Sequence, residues 1–185
     1  MNILLGVTGS VAATLTPRLA KDLADIGEVQ IVTTRPALYF WNPVLVNCKT
    51  WLEEDEWPGV AYTKDQPVPH IELRKWADIL VIAPLTANTL AKMANGLADN
   101  LLTCTVRAWG NEKPIIIAPA MNTHMWQHPA CAEHIATLKR WYGERLTVVD
   151  PIEKRLACGD TGIGAMARIE TIVQAVRVRC TIECR

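Results

Sequence analysis

Two apolar runs, Asp78-Ile79-Leu80-Val81-Ile82-Ala83 and Ile115-Ile116-Ile117-Ala118, each meet a proline and then small polar residues, and this repeated design constrains the fold most. Neither run alternates with polar residues, and both are rich in aliphatic side chains. They fit strands buried on both faces, as in a parallel sheet. Proline cannot donate to a ladder, so Pro84 and Pro119 should end their strands. Beyond them, Leu85-Thr86-Ala87-Asn88-Thr89 and Ala120-Met121-Asn122-Thr123 should open helices. In an open α/β sheet, ligands collect beyond the carboxyl ends of the strands, so both turns should line one rim. Asn122 is the first candidate to bind something there, although Asn also suits the cap of the helix that follows.

The start of the chain repeats the theme. Asn2 to Val7 reads as a strand, Thr8-Gly9-Ser10 as a turn, and Val11 to Ile26 as a helix with Leu15, Leu19 and Leu23 on one stripe. A small-residue turn opening a helix presents backbone N–H groups and a positive dipole end, which suits a phosphate. The spacing falls short of GxGxxG, so a plain tight turn fits equally well. Val29 to Thr34 is the second strand, and a right-handed crossover places the hydroxyls of Thr33 and Thr34 at the same crevice.

Residues 36 to 69 are aromatic, acidic and broken by prolines, and read as a short helix, a short strand and a long loop. The run Glu53-Glu54-Asp55-Glu56 within them reads as a solvated face, and His70, alone after Pro67-Val68-Pro69, as a structural histidine. Further helices are expected to about Asn95, over Leu101 to Trp109, from about Trp126 to Tyr142 and from Ile169 to about Arg179, with a last strand over Arg145 to Val149. The segment Leu156 to Met166 carries Gly159, Gly162 and Gly164 without periodicity and reads as a mobile flap. The sum is one doubly wound, three-layer α/β domain over 1–185, Rossmann-like or flavodoxin-like, with a mainly parallel sheet.

Composition narrows the partners. Lys plus Arg and Asp plus Glu number 19 each, so no net field favours nucleic acid or an anionic membrane. The six cysteines form no CxxC pair, which argues for free thiols and no metal. No apolar run approaches a membrane span and no basic leader precedes the first strand, so a cytoplasmic protein is expected.

Several longer motifs stand in order: Val7-Thr8-Gly9-Ser10-Val11-Ala12-Ala13, His70-Ile71-Glu72-Leu73-Arg74-Lys75-Trp76-Ala77-Asp78 and Ala83-Pro84-Leu85-Thr86-Ala87-Asn88-Thr89-Leu90. Asp99-Asn100-Leu101-Leu102-Thr103, Pro119 to Trp126 and Ala157-Cys158-Gly159-Asp160 follow. Together they resemble the flavin-dependent cysteine decarboxylases, most closely the monofunctional phosphopantothenoylcysteine decarboxylases of coenzyme A biosynthesis. The resemblance implies a homotrimer, or a multiple of trimers, with FMN and the active sites at subunit contacts. It implies FMN contacts from Gly9, Ser10, Val11, Thr33, Phe40, Ala83, Thr86, Ala87, Asn88 and Met121. It further implies His70 as base, Asn122 as the holder of the substrate carboxylate, and Cys158 as proton donor on a flexible flap of about 153–168.

Met125, Ala157 and Lys75 would join Asn122 and Cys158 around a small cysteinyl substrate. Lys75 stands where many relatives carry a second Arg, and Lys makes no forked contact. The Ala-Cys-Gly-Asp element is generally missing from relatives that act on the C-terminal cysteine of a peptide. That activity, and a non-catalytic flavoprotein regulator, are the competing expectations.

Overall fold

The computed structural model describes residues 1–57, 59, 61, 64, 66–155 and 161–183, with no side chain described at 182 and 183. Strands β1 (Asn2–Val7), β2 (Glu28–Thr33), β3 (Thr50–Trp51), β4 (Ile79–Leu85), β5 (Ile115–Pro119) and β6 (Leu146–Val148) form one sheet, ordered β3-β2-β1-β4-β5-β6. Every neighbouring pair is parallel. The chain winds outward from β1 to β3, then crosses to β4 on the other side of β1. The loops leaving β1 and β4 therefore diverge, and a crevice opens between them. This is the doubly wound α/β fold expected from the sequence.

Period-two alternation divides the apolar residues between two layers. Ile3, Leu5, Val7, Ile79, Val81 and Ile116 pack towards helices α1 (Thr16–Ala24) and α7 (Ile169–Glu183). Leu4, Leu80, Ile82, Ile115 and Ile117 face the other layer: α2 (Pro69–Trp76), α3 (Ala87–Ala94), α4 (Leu101–Ala108) and α6 (Pro129–Tyr142). Among the described residues, no helix is long and apolar enough to cross a membrane.

Prolines account for most departures from the expected elements. Val11–Leu15 is a 3-10 helix and α1 begins only at Thr16, because Pro17 has no N–H for the carbonyl of Ala13. The helix expected over 126–142 is two helices, α5 (Thr123–Gln127) and α6, since Pro129 drives His128 into an extended conformation. Pro84 does not end β4, which runs on to Leu85 across a register shift between Ile82 and Leu85, where a missing donor costs little. Pro119 does close β5, opposite Leu85.

Helix α2 was not anticipated. It starts on Pro69, whose absent N–H is no loss at a helix start, and buries Leu73. It ends where Lys113 Nζ donates to the carbonyls of Arg74 (2.7 Å) and Ala77 (2.6 Å), placing a cation at the helix carboxyl end. The glycine-bearing segment near the C-terminus also holds regular structure: β7 (Ile152–Arg155) pairs antiparallel with β8 (Thr161–Ala165).

Candidate active site

Thr8 ties the rim of the crevice together. It is buried; its Oγ1 donates to the Pro84 carbonyl at 2.7 Å and accepts from the Thr86 N–H at 2.9 Å. The starts of the loops after β1 and β4 are thereby held together before the loops diverge. Thr86 in turn caps α3, its Oγ1 accepting from the Thr89 N–H at 3.3 Å.

A cavity of about 760 Å³ opens over this rim. Gly9, Ser10 and Val11 line it after β1, Thr34, Pro36 and Phe40 after β2, Thr86, Ala87 and Asn88 after β4, and Met121 and Met125 after β5. A Cβ built on Gly9 would stand 2.6 Å from Pro36 Cβ and 3.1 Å from its carbonyl carbon, so only glycine lets the two loops meet. At the far wall Lys92 donates to Asp99 at 2.6 Å. This hydrogen bond holds the Asp99 carboxyl below the usual carboxylate range. Asn100 opens α4 with a reciprocal cap: its Oδ1 accepts from the Thr103 N–H at 3.0 Å, and Thr103 Oγ1 from the Asn100 N–H at 3.2 Å.

A second cavity, about 540 Å³, adjoins the first, with Ser10, Val11, Ala120 and Met121 lining both. Asn122 lines only the second. It caps α5 through its oxygen, Oδ1 accepting from the His124 N–H at 2.9 Å. The cap and the cavity are thus both served by this residue, one by the carbonyl half of the amide and the other by the side chain's position. The β7–β8 hairpin covers the same loop: the Met121 N–H donates to the Gly164 carbonyl at 2.9 Å. A Cβ on Gly164 would lie 2.3 Å from the Met121 carbonyl oxygen, and its φ of +151° also disfavours any side chain. Arg18, Lys154, Arg155 and Arg168 give this cavity a cationic wall, with Arg18 paired to Glu170 at 2.6 Å.

His70 lies in the first turn of α2 and lines neither cavity. Its Nδ1 meets the carboxylate of Glu56, and its backbone N–H donates to the second oxygen of that carboxylate at 3.3 Å. Glu56 is only 5% exposed, so the acidic run is not simply a solvated face. Glu53, from the same turn, lines the larger cavity.

The Flavoprotein family model matches residues 1–181. The chain belongs to that family. Phosphopantothenoylcysteine decarboxylase of Mus musculus is 48% identical over 178 residues, covering 95% of this chain and 85% of the mouse chain. Among solved structures, a cysteine-to-serine variant of PPC decarboxylase complexed with pantothenoylaminoethenethiol superposes with a TM-score of 0.89 at 46% identity, covering 96% of each chain. The FMN binding protein AtHal3 superposes with a TM-score of 0.86, also at 46% identity, over 96% of this chain and 95% of its own.

In this flavoprotein, Gly9, Ser10, Val11, Phe40, Thr86, Ala87, Asn88 and Met121 come together around the larger cavity. Two expected contacts do not. Thr33 is buried and its Oγ1 accepts from Trp41 Nε1 at 3.1 Å, so its neighbour Thr34 supplies the lining. Ala83 is fully buried within β4, beneath the rim. Met125 lines the larger cavity rather than that of Asn122. Lys75 lines neither; it is exposed and pairs with Glu72 one turn back, at 3.1 Å. Ala157 and Cys158 fall between β7 and β8, outside the described residues.

Sequence reading passed over Thr8 and Glu56. Thr8 carried a signal, since a threonine between a strand and a glycine turn sits where adjoining loops need a donor and an acceptor at once. Nothing local marks Glu56 apart from Glu53 and Glu54.

Proposed function

We propose that this chain catalyses the FMN-dependent decarboxylation of 4′-phosphopantothenoylcysteine to 4′-phosphopantetheine, a step of coenzyme A biosynthesis, in the cytoplasm. The observation that carries the reading is the pair of adjoining cavities. One has the glycine and hydroxyl rim, backbone N–H groups and aromatic wall that a flavin mononucleotide needs; the other has an amide and a cationic wall fit for an anionic substrate. Gly9, Ser10, Thr86, Ala87 and Asn88 would hold the phosphate and ribityl chain, with Phe40 and Met121 beside the ring system.

A carboxylate on a saturated carbon cannot leave as CO2, because the electron pair left behind has no acceptor. FMN, when bound, supplies the oxidising and reducing capacity that turns the cysteinyl β-carbon into a thioaldehyde and later returns the hydride. The thioaldehyde sulfur then takes the pair as an enethiolate. His70 accepts the thiol proton, a contribution of ~10²–10⁴-fold for a positioned base. Asn122 holds the carboxylate with donors that add no fixed charge, so the group is oriented without being stabilised as an ion against its own departure. Cys158, between β7 and β8 in the sequence, returns a proton to the enethiolate.

The working unit of this reading is a homotrimer or a multiple of one. Its support is that Asn122 lines the second cavity whereas His70 lines neither of the two, so a His70 brought by a neighbouring copy would complete the Asn122 cavity. The purified protein should be yellow and sediment as a trimer or larger; a colourless monomer that does not take up FMN would sink the reading. Gly9→Val should yield a folded, colourless protein, because the branched side chain must displace Pro36 from the rim. Flavin retention after gel filtration checks this.

Substrate and chemistry are tested together with Cys158→Ser. Incubated with 4′-phosphopantothenoylcysteine, this variant should release CO2 and accumulate an enethiol lighter than 4′-phosphopantetheine by two hydrogens, since serine is a far weaker acid than a thiol of pKa ~8.5. Mass spectrometry distinguishes the two products. Parallel incubation with a peptide ending in cysteine checks the competing substrate: turnover of the peptide alone would overturn the assignment to coenzyme A biosynthesis.

A further inference from the structure

We propose that Glu56 is a positioning residue for the reaction, fixing the His70 ring so that Nδ1 carries a proton and Nε2 presents the basic lone pair. The inference rests on the reading of His70 as the base and concerns how the fold prepares it.

The side chain of Glu56 is 2% exposed, and that of His70 is 23% exposed. A carboxylate at such depth is costly unless its oxygens are matched by donors. Both are matched by one residue. Oε2 accepts from the His70 backbone N–H at 3.3 Å, and Oε1 meets the His70 ring at Nδ1. An ionised carboxylate only accepts hydrogen bonds, so the contact requires the proton on Nδ1 and leaves Nε2 as the acceptor.

The backbone explains why this carboxylate is placed so firmly. Val68, the N-cap of α2, provides no side-chain cap, and the helix opens on Pro69. Ile71 and Glu72 donate to the Val68 carbonyl, so the N–H left over is that of His70; it and the positive dipole end are met by Glu56, reaching in from the 3-10 turn Glu53–Glu56. The same carboxylate that closes the helix thereby orients the ring in its first turn. Its charge is felt on α4 as well: burial first, then Glu56 and Asp99, hold the Cys104 thiol above its ordinary range. A carboxylate that orients a histidine and selects its tautomer is a recurring arrangement where imidazole acts as a base or ligand.

Capping and positioning separate in Glu56→Gln. The amide oxygen still accepts from the His70 N–H, so α2 keeps its cap. The amide nitrogen can only donate to Nδ1, which moves the ring proton to Nε2 and removes the lone pair from the reacting side. In FMN-loaded enzyme, single-turnover bleaching of the flavin by substrate should fall by at least about 10²-fold, with KM within about twofold of wild type.

The independent readout is the imidazole itself. The chain has four histidines, so ¹⁵N-histidine labelling resolves His70 by comparison with His70→Asn. Wild type should show the Nδ1–H tautomer and Glu56→Gln the Nε2–H tautomer. Wild-type bleaching by Glu56→Gln would overturn the proposal and leave Glu56 as a helix cap only. Should Glu56→Gln fail to fold, the wild-type spectrum still decides, since an Nε2–H tautomer there contradicts the lock. His70→Asn turning over normally would instead overturn the base assignment and this inference with it. Loss in His70→Asn beside a wild-type Glu56→Gln overturns only the part given to Glu56.

Discussion

His70→Asn should keep its fold and its flavin yet lose substrate-driven flavin reduction by roughly 10²–10⁴-fold, the worth of a positioned base. Asparagine is the informative replacement because its side-chain amide can occupy the place of Nδ1 and donate to Glu56, so the buried carboxylate keeps its partner. Only the outer nitrogen is deleted. His70→Ala removes both, and a buried acceptor left without a donor should cost a further ~1–3 kcal/mol of stability. Stopped-flow bleaching under anaerobic conditions measures the first effect and thermal melting the second. Bleaching of His70→Asn at the wild-type rate would show that the base lies elsewhere.

Asn122→Asp should keep the cap on α5 while losing turnover by roughly 10²–10³-fold, comparable to deleting one preorganised donor. The cap on α5 runs through Oδ1, accepting from the His124 N–H, and aspartate is an equally good cap whose charge also suits the helix N-terminus. What aspartate deletes is the amide's donor half, and what it adds is a negative charge facing the substrate's carboxylate. Substrate affinity should therefore fall together with the rate, unlike His70→Asn, where binding survives. The contrast between the two variants, read as KM against kcat, separates the residue that holds the carboxylate from the one that takes the proton. A fully active Asn122→Asp would reduce Asn122 to a helix cap.

The sequence by itself determined the sheet and the rim. Unbroken apolar runs at 79–83 and 115–118 suit only strands covered on both faces, and small residues after each, with Gly9 after the first strand, mark close approaches of backbone. Such features are local, because the chemistry of a few adjacent residues restricts the backbone whatever surrounds it. Prolines were legible in kind and misread in detail. Pro17 and Pro129 divided helices, while Pro84 remained within β4 because a register shift in the ladder absorbed its missing donor.

Tertiary structure alone decided which polar groups are withdrawn from water. Thr33 and Thr34 are chemically alike neighbours, but strand residues alternate in direction, and Trp41 closing over Thr33 left the cavity to Thr34. Glu53 and Glu56 belong to one acidic turn, yet one faces the cavity and the other is buried against a helix. That difference was set by α2, fourteen residues further on, whose uncapped first turn drew in the carboxylate. A side chain's pattern and propensity are written in its neighbours along the chain; its burial and its partners depend on segments that only the folded chain brings to it.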